Sequence, residues 1–218
     1  MTIDQPKDQR GFTLAELLVA MMCTIIVLGG AVALTAQIQN GYRRQLEDSV
    51  GEQEARYALE WIGRYLRSVG NNPFNAIPQC PTAATTFEAL TPNVTTGALT
   101  LRSDSNPPDG LIGGALGACV EQNENVTISL NPTLHEIQFI DQGAGGTTNT
   151  TRTDAVIDGL DFSYLDIDHN PMTAADAAAT PGNIYYVQTV ITLRTRTGNT
   201  STGTTTRTVS SEIRVRAR

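Results

Sequence analysis

The sequence predicts an α+β protein in which one long N-terminal helix, apolar in its first half and amphipathic in its second, packs on an antiparallel β-sheet head. Three observations carry this. An apolar run reaches from Phe12 to about Ile38, and no Asp, Glu, Lys, Arg or His occurs from Leu17 to Tyr42. Proline is absent from Gln39 to Val69, where apolar residues recur at helical spacing. The last third of the chain alternates apolar and polar residues with the period of two that marks half-buried strands.

Leu17 to Ile38 as a helix is about 33 Å long, against a bilayer core of about 30 Å, so a single membrane span is the direct reading. Glu16 is the residue that an ordinary span does not explain. A carboxylate at mid-bilayer costs on the order of 3 kcal/mol unless paired, so an acid at the entrance to the hydrocarbon marks a function. A secretory signal peptide fits less well, because the run exceeds the roughly 7–15 residues of such a core and no small-x-small cleavage pattern follows it. Gly29-Gly30 interrupts the span, either as a yielding point in the helix or as a place where helices approach closely.

Beyond the span the helix continues. Tyr42, Leu46 and Val50 fall one per turn, and Leu59, Ile62, Leu66 and Val69 follow at helical spacing, which makes residues 39–70 an amphipathic element. Gly70-Asn71-Asn72-Pro73 is a helix stop, and Arg64 and Arg67 suit the negative end of the dipole. Asn71 to Pro92, with several prolines, reads as a loop. Short strands are expected at Leu99–Ser103, Val126–Leu130 and Glu136–Ile140, the last two joined in a hairpin by Asn131-Pro132-Thr133. Asp141 to Asp154, rich in glycine and threonine, shows no strand pattern and reads as a surface loop. Its Gly143-Ala144-Gly145-Gly146 run lacks the lysine and helix start of a phosphate cradle. Longer strands are expected at Val156–Asp166, Ile184–Arg196 and Arg207–Arg216, with Thr197–Gly203 as the turn between the last two. An antiparallel sheet lying on the amphipathic helix follows from their faces, one side apolar and one side wet.

Gly11-Phe12-Thr13-Leu14-Ala15-Glu16-Leu17 resembles the cleavage and methylation site of type IV prepilins and type II secretion pseudopilins. The resemblance implies that residues 1–11 are a leader removed by a prepilin peptidase, which cuts after Gly11 and methylates Phe12. It also implies that residues 12–38 are a membrane and assembly helix, with Glu16 meeting the Phe12 ammonium of a neighbouring pilin or pseudopilin subunit. Ala15 stands where the family more often has a larger aliphatic residue. Across the rest of the chain a looser likeness points to the PilW-like minor pilins and the J-type pseudopilin of type II secretion. It rests on the Val156-to-Tyr164 strand, the aspartate-rich turn and the two arginine-bearing terminal strands. The resemblance thus implies a pilin-like fold with residues 71–218 as the head. It implies an inner-membrane protein with that head outside the cytoplasm before assembly, and a cell-surface or periplasmic filament afterwards.

The remaining residues narrow the function. A net charge of −7 and a pI near 4.8 argue against a nucleic-acid footprint, which needs net basic charge. Lys7 is the sole lysine. Cys23 lies in the span as a small apolar residue, whereas Cys80 and Cys119 fall in an exported head and are expected to join in an oxidising compartment. Asp166, Asp168 and Asn170 present oxygens at alternate positions like the opening of a calcium loop. Pro171 stands where such a loop needs glycine, so a solvated turn is the competing reading. His135 and His169 have no partner at metal spacing, no nucleophile elbow occurs, and neither an enzyme nor a cofactor is expected. A minor pilin-like filament subunit is the first functional expectation. A secretion pseudopilin and a membrane-tethered adhesin or binding module are the alternatives.

Overall fold

The computed structural model describes residues 13–80, 82–105, 108–115, 117–142, 149–154, 156–194 and 207–215. The chain divides into two compact units, Met1–Glu47 and Asp48–Arg218. Helix α1, Leu14–Ser68, contributes to both.

In the first unit the side chains of α1 are exposed wherever they are described. Leu14, Ile26 and Val27 keep 81%, 74% and 70% of their surface. An 18-residue window reaches a mean hydropathy of 2.6, so the helix is long and apolar enough to cross a membrane. Its hydroxyls look after themselves. Thr24 Oγ1 donates to the Ala20 carbonyl at 2.7 Å and Thr35 Oγ1 to the Ala31 carbonyl at 2.8 Å, as a medium without water requires.

In the second unit α1 turns Ala55, Ala58, Leu59, Ile62 and Leu66 into the core, and Val69 follows just past its end. These positions form one stripe at helical spacing, and the strands supply the opposite wall. Five strands make the first sheet in the order β1 (Leu90–Pro92), β2 (Leu99–Arg102), β3 (Asn125–Asn131), β4 (Glu136–Asp141) and β5 (Asn149–Arg152), every pair antiparallel. The second sheet runs β7 (Pro171–Met172), β6 (Ile157–Leu165), β8 (Tyr186–Leu193), β9 (Arg207–Arg214), also antiparallel. Leu99, Ile128, Ile137 and Phe139 from the first sheet and Ile157, Val187, Ile191 and Ile213 from the second share one core with the helix stripe. Trp61 lies 5.3 Å from Phe139, ring centre to ring centre, with Tyr57 and Tyr65 5.9 Å on either side along the helix. Gly63 allows β9 to come close, since a Cβ there would stand 2.8 Å from Ile213 Cδ1. The helix ends as its sequence dictates. Gly70 takes φ +76°, open to glycine at little cost, and its N–H donates to the Arg102 carbonyl at 2.8 Å.

Several expectations need correction. The antiparallel sheet expected of the last-third strands forms, and the earlier strands make a second sheet on the same core, because the strand sets before and after residue 153 each close on their own neighbours. The segment 141–154 is not all loop: β5 pairs with β4 from Asn149↔Asp141 to Arg152↔Gln138. An edge strand of Thr, Asn and Arg has no apolar face to alternate, so its signal was backbone pairing alone. Leu90–Pro92 likewise forms β1 inside the expected loop. The strand expected from Ile184 starts at Tyr186, behind a 3₁₀ turn at Pro181–Asn183. Helix α2, Ala174–Ala179, was not anticipated; Thr173 caps it by accepting the Asp176 N–H. The apolar stripe of α1 is covered only in part, with Tyr42, Leu46 and Val50 still 67%, 54% and 41% exposed. The turn Thr197–Gly203, Gly143–Gly146 and Arg216 lie outside the described residues.

Candidate assembly and processing site

The start of α1 is built by two side chains. The Thr13 backbone N–H and hydroxyl both donate to Glu16 Oε2 at 2.9 Å. In return the Glu16 N–H donates to Thr13 Oγ1 at 3.3 Å, and the Leu17 N–H donates to the Thr13 carbonyl at 3.2 Å. This is a capping box, Thr at the cap and Glu three residues on, which satisfies helix N–H groups that would otherwise lack acceptors. The negative side chain also sits at the positive end of the helix dipole. The Thr-x-x-Glu spacing was present in the sequence and is the signal by which the box could have been found. Gly11 and Phe12, expected on the two sides of the cut, lie outside the described residues.

Away from this end, Cys80 and Cys119 are joined in a disulfide with their Cα atoms 5.5 Å apart. The flanking chain is fastened as well. Pro78 bridges Ile112, the Gln79 N–H donates to the Ile112 carbonyl at 3.3 Å, and Asn125 Nδ2 donates to the Cys80 carbonyl at 2.8 Å. Beside the bridge the loops wrap carboxylates that the sequence did not single out. Asp104, fully buried, accepts the Asp109 and Gly110 N–H groups at 3.0 Å, and Glu124, also fully buried, accepts those of Ser105 and Gly113 at 2.8 and 3.0 Å. Burial, with Asp109 and Glu124 nearby, pushes the Glu121 carboxyl up to about 7.

The aspartate-rich turn keeps much of its hydrogen bonding to itself. Asp166 Oδ1 accepts the Asp168 and Asn170 N–H groups at 2.9 and 2.8 Å, and Asp166 Oδ2 accepts Asn170 Nδ2 at 3.0 Å. The Asn170 hydrogen bonds, ahead of that from Asp168, hold the Asp166 carboxyl below the usual carboxylate range. His169, at φ +61°, stacks on Tyr186 with ring centres 3.9 Å apart. Among the described residues no group of three or more His, Cys, Asp or Glu is arranged to hold a metal ion.

The capped helix start coincides with a known family signal: the prokaryotic N-terminal methylation motif matches residues 6–32. The chain therefore carries the processing and methylation signal of type IV prepilin-like proteins, followed by the long apolar helix and antiparallel sheets of a pilin-like layout. No curated protein matches the chain.

Proposed function

We propose that this protein is a minor subunit of a type IV pilin-like filament, made as a prepilin. Residues 1–11 are the leader. A prepilin peptidase cuts after Gly11 and methylates Phe12. Residues 12–38 hold the subunit in the inner membrane as a single pass, residues 39–70 continue that helix, and residues 71–218 form the head outside the cytoplasm. The observation that carries this reading is the position of Glu16. It lies inside the methylation motif, at the first turn of a helix whose apolar side chains are exposed as far as Leu46, and it is ordered there by Thr13.

The chemistry follows from two charges that are each costly alone. A carboxylate and an ammonium drawn into a low-dielectric helix bundle lose their water, and pairing them between neighbouring subunits offsets part of that loss. The exposed face of α1 gains packing against other helices in the same step. A large head with two sheets and a disulfide-fastened loop, more elaborate than a compact repeating subunit needs, supports the minor role. Substituting Glu16→Gln in the host tests the proposal. The variant is expected to be cleaved and to stay in the membrane fraction while disappearing from sheared filaments. Unchanged incorporation of the variant would refute the role given to Glu16, absence of the unmodified protein itself from sheared filaments would favour a membrane-tethered binding module, and recovery in a secretion pseudopilus would assign the same chemistry to that machine.

A further inference from the structure

Resting on the reading that places the head outside the cytoplasm, we infer that Asn93 is a glycosylation acceptor, its side-chain amide taking a sugar from a lipid-carried glycosyl pyrophosphate donor. The acceptor pattern Asn-x-Ser/Thr, with x other than proline, begins at Asn93, Asn125, Asn149 and Asn199. Two of these, Asn93-Val94-Thr95 and Asn125-Val126-Thr127, are the same tripeptide, and the fold treats them in opposite ways. Asn93 opens the turn between β1 and β2, where its N–H donates to the Ala98 carbonyl at 2.8 Å and the Gly97 N–H donates to its carbonyl at 2.9 Å. Asn93, Val94 and Thr95 are all exposed. Asn93 Oδ1 accepts the Thr95 and Thr96 N–H groups at 3.0 Å, and among the described residues no hydrogen bond engages its Nδ2 or the Thr95 hydroxyl. Asn125 is the reverse. It is 4% exposed, its Nδ2 donates to the Cys80 carbonyl at 2.8 Å, and its Oδ1 has no partner among the described residues.

The polarity of these contacts decides which amide can react. An amide nitrogen is a poor nucleophile because its lone pair is shared with the carbonyl. Two N–H donors on Asn93 Oδ1 stabilise negative charge on that oxygen, so Nδ2 gives up a proton more readily. In the transfer, Nδ2 bonds to the anomeric carbon as the bond from that carbon to the pyrophosphate oxygen breaks. The pyrophosphate leaves with the electron pair, and the Nδ2 proton passes to a base of the transferase. The product carries a bulky, hydrated group on the turn, beside a Val94 side chain that is otherwise 57% exposed.

The test uses the full chain purified from its host, as the unmodified protein, Asn93→Gln, Thr95→Val and Thr95→Ser, with intact mass followed by peptide mapping. Thr95→Val keeps the N–H that closes the turn and removes only the hydroxyl that the acceptor pattern requires, so a loss there is not a failure to fold. The processed unmodified chain is expected to carry sugar on the peptide containing Asn93. Thr95→Ser should keep that sugar, and Asn93→Gln and Thr95→Val should lose it. A processed chain bare at Asn93, one showing only the mass gain of deamidation there, or sugar retained on that peptide in Thr95→Val would overturn the assignment. Sugar on Asn125 would overturn the argument from burial and polarity. Protease added to cells with an opened outer envelope separates the two levels. If the head is cut only after the inner membrane is also broken, the underlying reading fails; if it is cut before that and Asn93 is bare, the reading stands and the acceptor role does not.

Discussion

Glu121→Gln gives the sharpest test of the head's electrostatics. Glu121 Oε2 is shielded from water and among the described residues meets no hydrogen-bond donor, while Asp109 and Glu124 lie close enough to oppose a third charge. Burial is the largest cause and repulsion from Asp109 and Glu124 the next, and with the hydrogen bonds that the protonated group can give those two carboxylates they raise the carboxyl from 4.5 to about 7. A raised carboxyl means that the folded protein holds a proton that the unfolded chain has already released. Stability should therefore fall as pH rises from about 4.5 to about 7, and remain lower above that. At about 1.4 kcal/mol per pH unit the shift corresponds to at most about 3 kcal/mol. Glutamine removes the titration and can donate to either neighbouring carboxylate. Urea denaturation of the detergent-solubilised protein between pH 4 and 8 is the assay. The variant is expected to match the unmodified protein near pH 4 and to exceed it by up to that amount near pH 8. Parallel stability curves for the two proteins across the range would refute the reasoning.

Other perturbations follow from the same structure. Thr189 is fully buried and among the described residues its hydroxyl has no hydrogen-bond partner, so Thr189→Val should stabilise the head by about 1 kcal/mol, read from the urea midpoint at unchanged slope. Replacing Cys80 and Cys119 together by serine opens a loop closed over a separation of 39 residues and should cost roughly 4 kcal/mol in the same assay. Gly70→Ala forces a side chain into φ +76° at the helix end and should lower stability by about 1 kcal/mol.

What the sequence made legible is what local chemistry determines. Gly70 stops α1 where glycine before proline said it would, and Asn131 closes the β3–β4 hairpin with its side chain accepting the Thr133 and Leu134 N–H groups at 3.1 Å. The alternation in β8 is visible directly as Val187, Thr189, Ile191 and Leu193 buried between half-exposed neighbours. Elements without an apolar face were harder to see. The described strand β5 is polar throughout, and its Arg152 pairs with Glu136 of β4 at 3.2 Å, a contact between residues far apart in sequence. The division into two sheets was equally hidden, because period-two patterns give the face of a strand and not its neighbour. Asp104, Asp109, Glu121 and Glu124 converge only through loop closure beside the disulfide, so no spacing announced them. The capping box of Thr13 with Glu16 and the Thr173 cap on the Asp176 N–H show the opposite case, a local signal present in the sequence.

The tilt of burial along α1 has a physical meaning for the whole account. Ala55, Ala58, Ile62 and Leu66 are satisfied by the head core, whereas Tyr42 and Leu46 keep more than half their surface, and the apolar residues nearer the N-terminus likewise remain exposed. Apolar area on this scale finds its partners outside the chain, in lipid or in other helices. The central claim is that this surface is delivered by processing at Gly11 and Phe12. Intact mass of the protein purified from its host tests it most directly. The account predicts a chain lacking residues 1–11 and carrying one added methyl group on Phe12; a chain that still begins at Met1, or that begins at any residue other than Phe12, would contradict it.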